Sequence, residues 1–226
     1  MSDMRIYPSH GNPGYGRDGG VPVGARGTRD GALFVAPWKM ALVMEGRVFT
    51  AQAGVVTTGI AGHATIDADQ PEFALRAAAD TLVILPLRLQ AVLQTGETTL
   101  GIAELMWAAS TIDVGNGTST ATGVARNLNF ASSNAASAIT RHTYSGNGTD
   151  PLTVDNYTEL ARVAGIIDSD AATSGMPGLR LLWTADQDTP VIVARTGCVV
   201  GYNGAGTAVN GFFVADWAEF TQAEIE

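Results

Sequence analysis

Lysine is almost missing from this chain. Lys39 is the only one among 226 residues, and Lys and Arg together number 13 against 22 Asp and Glu, for a formal net charge of −9. A surface so poor in bases does not draw in nucleic-acid phosphates or an anionic membrane, so neither is expected as a partner. Cysteine is as scarce. Cys198 stands alone, which excludes an internal disulfide, and its neighbours Gly197, Val199 and Val200 suit an inert buried thiol. Charged residues of all kinds make up 15%, where about 25% is ordinary. No apolar run reaches the roughly 18 residues of a membrane span. The opening MSDMRIYPSHGNPGYG has no hydrophobic core of the signal-peptide kind. The expectation is a protein made and folded in a reducing cytoplasm.

Catalytic vocabulary is thin as well. His10, His63 and His142 lie far apart, and none is followed by His, Cys or Glu at metal-ligand spacing. Ordinary polar roles are expected for all three. Neither a G-x-S-x-G elbow nor a phosphate-cradling Gly-Lys loop occurs. The nearest thing to a site is a recurring Asp-x-Asp, at Asp67/Asp69, Asp168/Asp170 and Asp186/Asp188. Paired loop carboxylates can hold Ca²⁺. Asp also bonds its own backbone at strand exits, and two of the pairs stand just ahead of Pro71 and Pro190. Turn chemistry is therefore the simpler account. No metal and no cofactor are expected, Asp186 and Asp188 being the best-placed candidates if a cation binds. The Asn-Gly pairs, including those inside the sequons at Asn116 and Asn147, read as tight turns.

What the chain does have is glycine, 27 residues of it, and 46% apolar residues. That is enough to bury a core, and too little charge for a comfortable free monomer, so an assembled protein is the better expectation. The clearest pattern runs over residues 71–110. Phe73, Leu75 and Ala77 alternate with Glu72, Ala74 and Arg76, and Asp80-Thr81 makes a corner. Leu82 to Leu85 is then unbroken, as for a strand covered on both sides. Pro86 belongs at an edge, a bend or a strand start. Beyond it Leu87, Leu89, Ala91 and Leu93 alternate with Arg88, Gln90, Val92 and Gln94, residues 95–98 turn, and residues 100–108 run back with Trp107 in the core. Long strands with a corner and Gly-containing turns predict an all-β, double-sheet jelly roll.

Residues 1–31 are a different material, rich in Gly, Pro and Arg and without apolar periodicity. They read as an extended arm preceding a jelly-roll domain over 32–226. Arg5, Tyr7, Tyr15, Arg17, Arg26 and Arg29 are anchor types enriched in interfaces, and arginine favours directed pairing with carboxylates or carbonyls. Further strands are predicted at 33–36, 41–44 and 47–51, with Glu45-Gly46 as a turn. A turn-rich excursion follows at 113–123, then an Asn/Ser/Ala-rich stretch at 127–138 and a strand over 138–144. Asp155 can cap one short helix over 156–164, where Tyr157, Leu160, Ala161, Val163 and Ala164 make an apolar stripe. The last third returns to strands at 178–184, 190–195, 198–202 and 211–220. The closing FFVADWAEF is too aromatic for a free edge, so it is placed inside a sheet. Trp38, Trp107, Trp183 and Trp217 all lie in apolar stretches and are assigned to the core.

Taken together, PEFALRAAADTLVILPLRLQAVLQTGETTLGIAELMWAAS, the later NYTELARVAG and the closing FFVADWAEF resemble the jelly-roll structural proteins of tailed bacteriophage virions, the head-decorating (cement) and tail-associated β proteins. The resemblance is one of pattern, over residues 32–220. It implies a non-enzymatic homotrimer on the capsid surface that binds and stabilises neighbouring major capsid proteins, with no catalytic residue to carry over. On this reading Arg5, Tyr7, Tyr15, Arg17, Arg26 and Arg29 are the expected capsid or subunit contacts. The alternative is a tail or fibre-type binding module that recognises a host-surface glycan. An enzyme is not expected.

Overall fold

Period-two alternation wins over most of the chain. The computed structural model describes residues 5–6, 23–24, 37–93, 101–114, 119–144, 149–153, 155–167, 179–194, 196–205 and 209–225. In order, β1 (Arg5–Ile6) and β2 (Val23–Gly24) pair with each other, and α1 (Trp38–Met44) follows. Next come β3 (Val48–Ala53), β4 (Ile60–Ala61), β5 (Phe73–Arg76), β6 (Leu82–Leu93) and β7 (Gly101–Ser110). They are followed by β8 (Ser119–Thr122), β9 (Arg126–Asn127), β10 (Ile139–Tyr144) and β11 (Tyr157–Ile167). The chain finishes with β12 (Arg180–Thr184), β13 (Val193–Ala194), β14 (Cys198–Ala205), β15 (Asn210–Thr221) and a 3₁₀ turn, Gln222–Glu224.

Two antiparallel sheets stack face to face, the double-sheet jelly-roll sandwich that the alternation predicts. One has six strands in the order β11-β7-β14-β5-β10-β8. The other has seven: β12-β6-β15-β3-β9, with β13 also on β6 and β4 on β15. Successive strands β5, β6 and β7 change sheet each time, the first change made at the Asp80-Thr81 corner. Between the sheets Trp107 sits edge-on to Phe73 and to Phe213, ring centroids 5.7 Å away in both cases. Gly201 makes room for this trio, since a Cβ there would come within 2.9 Å of both Trp107 and Phe213. The closing strand β15 lies between β6 and β3, which removes the edge its aromatics would otherwise expose.

Pro86 is accommodated at a bend within β6. Trp217 faces Pro86 while Asp216 faces Arg88, so Leu87 is the extra residue of a bulge. On the other flank β12 pairs only from Arg88 onward and β13 only with Ile84 and Val83. The missing N–H of Pro86 falls in the gap between them, and no ladder bond is forfeited.

The outer faces of both sheets are covered too. Ala74, Met106, Ala108, Cys198, Val200 and Tyr202 point away from the main core of the six-stranded sheet and pack with Val114, Ile66 and Leu152 from loops. This is why every residue of β14 is buried. On the seven-stranded sheet, Leu42 of α1 packs with Val48, Leu87 and Ala218.

Four expectations need correction. Residues 156–164 form no helix: β11 pairs with β7 along its length, with a bulge at Leu160 between Glu159 and Ala161. The extra residue breaks the alternation and imitates a helical stripe. The helix lies instead at α1, where 41–44 read as a strand. Met, Ala and Leu are strong helix formers, and Gly46 at φ 69° ends the helix, its N–H donating to the Val43 carbonyl at 2.9 Å. Trp38 is no core residue, being 48% exposed on α1, whereas Trp107, Trp183 and Trp217 are buried as expected. The excursion at 113–123 also carries a strand, β8. The predicted strand at 33–36 and the boundary between residues 31 and 32 lie outside the described residues.

Candidate functional site

One cleft opens where β3 outruns its partner. Only Phe49 and Thr50 of β3 pair with β9, so the edge of β3 beyond them is open, and His142 of β10, the strand next to the rim of the other sheet, lies across from it. The notch measures about 410 Å³, and Thr50, Gln52, Val124, Arg126, Phe130 and His142 line it. Its lining holds no carboxylate, although the chain as a whole carries a net charge of −9. Neither Arg126 nor Gln52 has an ion pair or side-chain hydrogen bond among the described residues. Phe130 is 88% exposed, a large apolar ring standing in water at the mouth.

The Asn/Ser-rich segment presents that ring, and it does so by local polar chemistry. Asn127 Oδ1 accepts from Asn129 N–H at 2.8 Å, Asn129 Oδ1 from Ala131 N–H at 3.1 Å, and Ser132 Oγ from Asn134 N–H at 3.1 Å. Asn127 Nδ2 donates to the Gly46 carbonyl at 2.8 Å and Asn129 Nδ2 to that of Met44 at 3.2 Å, tying the loop to the end of α1. Glu219, buried, receives the other end of the segment: its oxygens accept from Ser137 N–H at 2.8 Å, Ala138 N–H at 3.0 Å and Trp217 Nε1 at 2.9 Å. His142 hydrogen-bonds through Nδ1 to Thr143 Oγ1 at 3.0 Å, and Thr143 itself sits at φ 60°, uncommon for a β-branched residue. Burial holds the His142 imidazole below its ordinary pKa, so it is neutral at pH 7.

A second polar cluster lies on the outer face of the six-stranded sheet. Glu72, 2% exposed, joins His63 Nδ1 through Oε1 at 2.9 Å and accepts Asn203 N–H through Oε2 at 2.8 Å. Burial raises the Glu72 pKa against the pull of those two partners, and the hydrogen bond to Glu72 raises that of His63. The loop that follows His63 is anchored further by Tyr202, whose hydroxyl donates to the Ala68 carbonyl at 2.8 Å. Among the described residues no hydroxyl or thiol hydrogen-bonds to His63. What the pair does among the described residues is pin a loop.

The sequence candidates fall as follows. Asp186 pairs with Lys39 of α1, and Asp188 Oδ2 accepts Thr184 N–H at 2.9 Å, which is the turn chemistry weighed against metal binding. Gln70 Nε2 likewise donates to Asp67 Oδ2 at 2.8 Å. Among the described residues no three His, Cys, Asp or Glu side chains gather as a metal-ion set, and no helix is long and apolar enough to cross a membrane. Cys198 is buried, its thiol pushed up to about 12 by burial, and it donates to the Ile112 carbonyl at 3.1 Å. Of the arm residues, Arg5 lies in β1; Tyr7, Tyr15, Arg17, Arg26 and Arg29 lie outside the described residues. The cleft residues Gln52, Arg126, Phe130 and His142 were not singled out as a site by sequence. The available signal was a lone Phe in a polar, Asn-rich run.

Helix α1 adds the last surface feature. Leu42 faces the sheet, while Trp38, Met40 and Met44 are 48%, 51% and 52% exposed. Lys39 Nζ lies 5.5 Å from the Trp38 ring centre, holding the indole along the surface.

Comparison with protein-family models, with curated proteins and with solved structures finds no match.

Proposed function

We propose that this chain is a non-enzymatic structural protein of a virus particle, a homotrimeric cement or decoration protein that binds neighbouring major capsid subunits on the capsid surface. One observation carries the reading. The helix that directly follows the Gly/Arg-rich arm turns Trp38, Met40 and Met44 outward, with about half of each exposed. Tryptophan and methionine are enriched at protein interfaces, and lysine is depleted there. The scarcity of charge points the same way, because 15% charged residues leave a large uncharged surface for subunits to cover. Function on this reading comes from contact area: the jelly roll is the rigid body, α1 joins subunits, and the arm with Arg5, Arg17, Arg26 and Arg29 reaches the capsid protein.

Light scattering behind a sizing column tests it. The purified chain is expected to run near three times 23.4 kDa. The double variant Trp38→Ser, Met44→Ser is expected to remain folded and fall to a monomer. A monomeric wild type, or a trimer indifferent to both substitutions, would overturn the reading.

A further inference from the structure

The cleft between β3 and β10 has features that a structural role does not use. Its lining includes residues that carry hydrogen-bonding groups of mixed kind: Thr50 and Gln52, which alternate with the core residues of β3, and His142, whose imidazole is neutral at pH 7. Its one formal charge is the Arg126 guanidinium, which lacks a carboxylate partner among the described residues. In a chain with 22 acidic residues, an arginine without an acidic partner among the described residues, in a notch whose lining holds no carboxylate, selects a ligand that brings its own negative charge. The guanidinium fork matches a carboxylate in two parallel hydrogen bonds. Phe130 adds an exposed flat ring held by a hydrogen-bonded loop rather than by a flexible tip. An apolar ring beside polar donors suits a ligand with one apolar face and a rim of hydroxyls.

We propose that this cleft binds a carboxylate-bearing sugar, a pyranose of the uronic or sialic acid type. Phe130 packs on the apolar face of the ring, Arg126 takes the carboxylate, and Gln52, Thr50 and His142 bond the hydroxyls. The volume, about 410 Å³, lies at the lower end of the roughly 300–1,000 Å³ of small-ligand sites and accommodates a monosaccharide with part of its neighbour. A polyanion such as nucleic acid is a poor fit, because the lining supplies a single cation and the rest of the chain repels. The site gives the glycan-recognition alternative a place in the fold, and it does not depend on the oligomeric reading above.

Titration calorimetry of the full chain tests it with three probes: a uronic acid disaccharide, a sialyl lactose and, as control, the uronic acid disaccharide with its carboxyl groups reduced to alcohols. At least one acidic probe is expected to bind, and the reduced control to bind at least about ten-fold more weakly, the value of a hydrogen bond to a charged group. Arg126→Gln is expected to abolish that preference while leaving the weak binding of the reduced sugar. Phe130→Ala, at an exposed position, is expected to weaken all binding without changing the circular dichroism. No binding of either acidic probe, equal binding of acidic and reduced sugars, or an Arg126→Gln variant that keeps the preference would each overturn the proposal. Light scattering on the same samples keeps this outcome separate from that of the trimer.

Discussion

The outer faces of the two sheets are covered in different ways. On the seven-stranded sheet the cover is α1, a helix that buries Leu42 and leaves Trp38, Met40 and Met44 half exposed. On the six-stranded sheet it is a set of loops that bring in Val114, Leu152 and Ile66, the last from the loop after His63, which also carries Asp67, Asp69 and Gln70. A helix has two sides, and its unused side here is apolar. The loop has no second apolar side, and polar bonds hold it from within: Glu72 to His63 and Asn203, Tyr202 to Ala68. One cover thus rests on packing and offers a further apolar surface. The other rests on a buried carboxylate and stops at a polar surface. The same task, keeping water off a sheet, leaves one face with a further apolar surface and the other with a polar one.

Breaking each cover separately sharpens the contrast. The largest effect is expected from Glu72→Ala, which strands His63 and the Asn203 N–H around a site that is 2% exposed. Removing one partner of such a pair costs about 3 kcal/mol, measured as a lower urea midpoint. Hydrogen exchange is then expected to rise across the His63–Gln70 loop and to stay unchanged in α1. A smaller loss, about 2 kcal/mol, is expected from Leu42→Ala, whose side chain closes the edge of its cluster and not its centre. Here the exchange pattern should be the reverse, fast in α1 and slow in the loop. Equal exchange in both regions for either variant would show that the covers are one cooperative unit.

The smallest effect is one of pH, and its sign differs between the covers. The folded pKa of His63 stands above the ordinary 6.5, chiefly through its hydrogen bond to Glu72. Its contribution is therefore fully present below 6.5 and is lost as pH rises through the raised value. Glu72, raised above 4.5 by burial, acts in the same direction. Of the other polar groups facing this pair, Asp67 and Gln70 raise His63 further, whereas the Asn203 N–H opposes the rise of Glu72 without overcoming burial. Beside α1 the sign is opposite. Arg47, stacked 5.5 Å over Phe220, bonds Glu224 and lowers its carboxyl from 4.5 to about 2. That contribution is present above 4.5 and lost as pH falls toward 2. Exchange corrected for intrinsic rates is thus expected to rise in the His63 loop on the alkaline side, and at Arg47 and Glu224 on the acid side.

How much of this was legible in the residues varies with the range of the interaction. The sandwich was legible because alternation is local. Phe213, Ala215 and Trp217 read as one face before any partner strand was known, and all are fully buried. Pro86 announced its bend for the same reason, since a missing N–H excludes an unbroken ladder on both flanks. The bulge at Leu160 misled because a single inserted residue turns a period of two into an apparent helical stripe. The cleft was illegible: Gln52, Arg126, Phe130 and His142 come from three separate stretches, and only the short pairing of β3 with β9 brings them to one notch. The sequence by itself determined that the chain folds as two apolar-faced sheets, with few charges, one inert thiol and no linear catalytic motif, because each of these follows from composition or from neighbours along the chain. Tertiary structure alone decided which carboxylates are buried, which face of α1 stays wet and where, among the described residues, an arginine has no acid beside it, because burial and pairing depend on residues that lie far apart in sequence and meet only when the sheets stack.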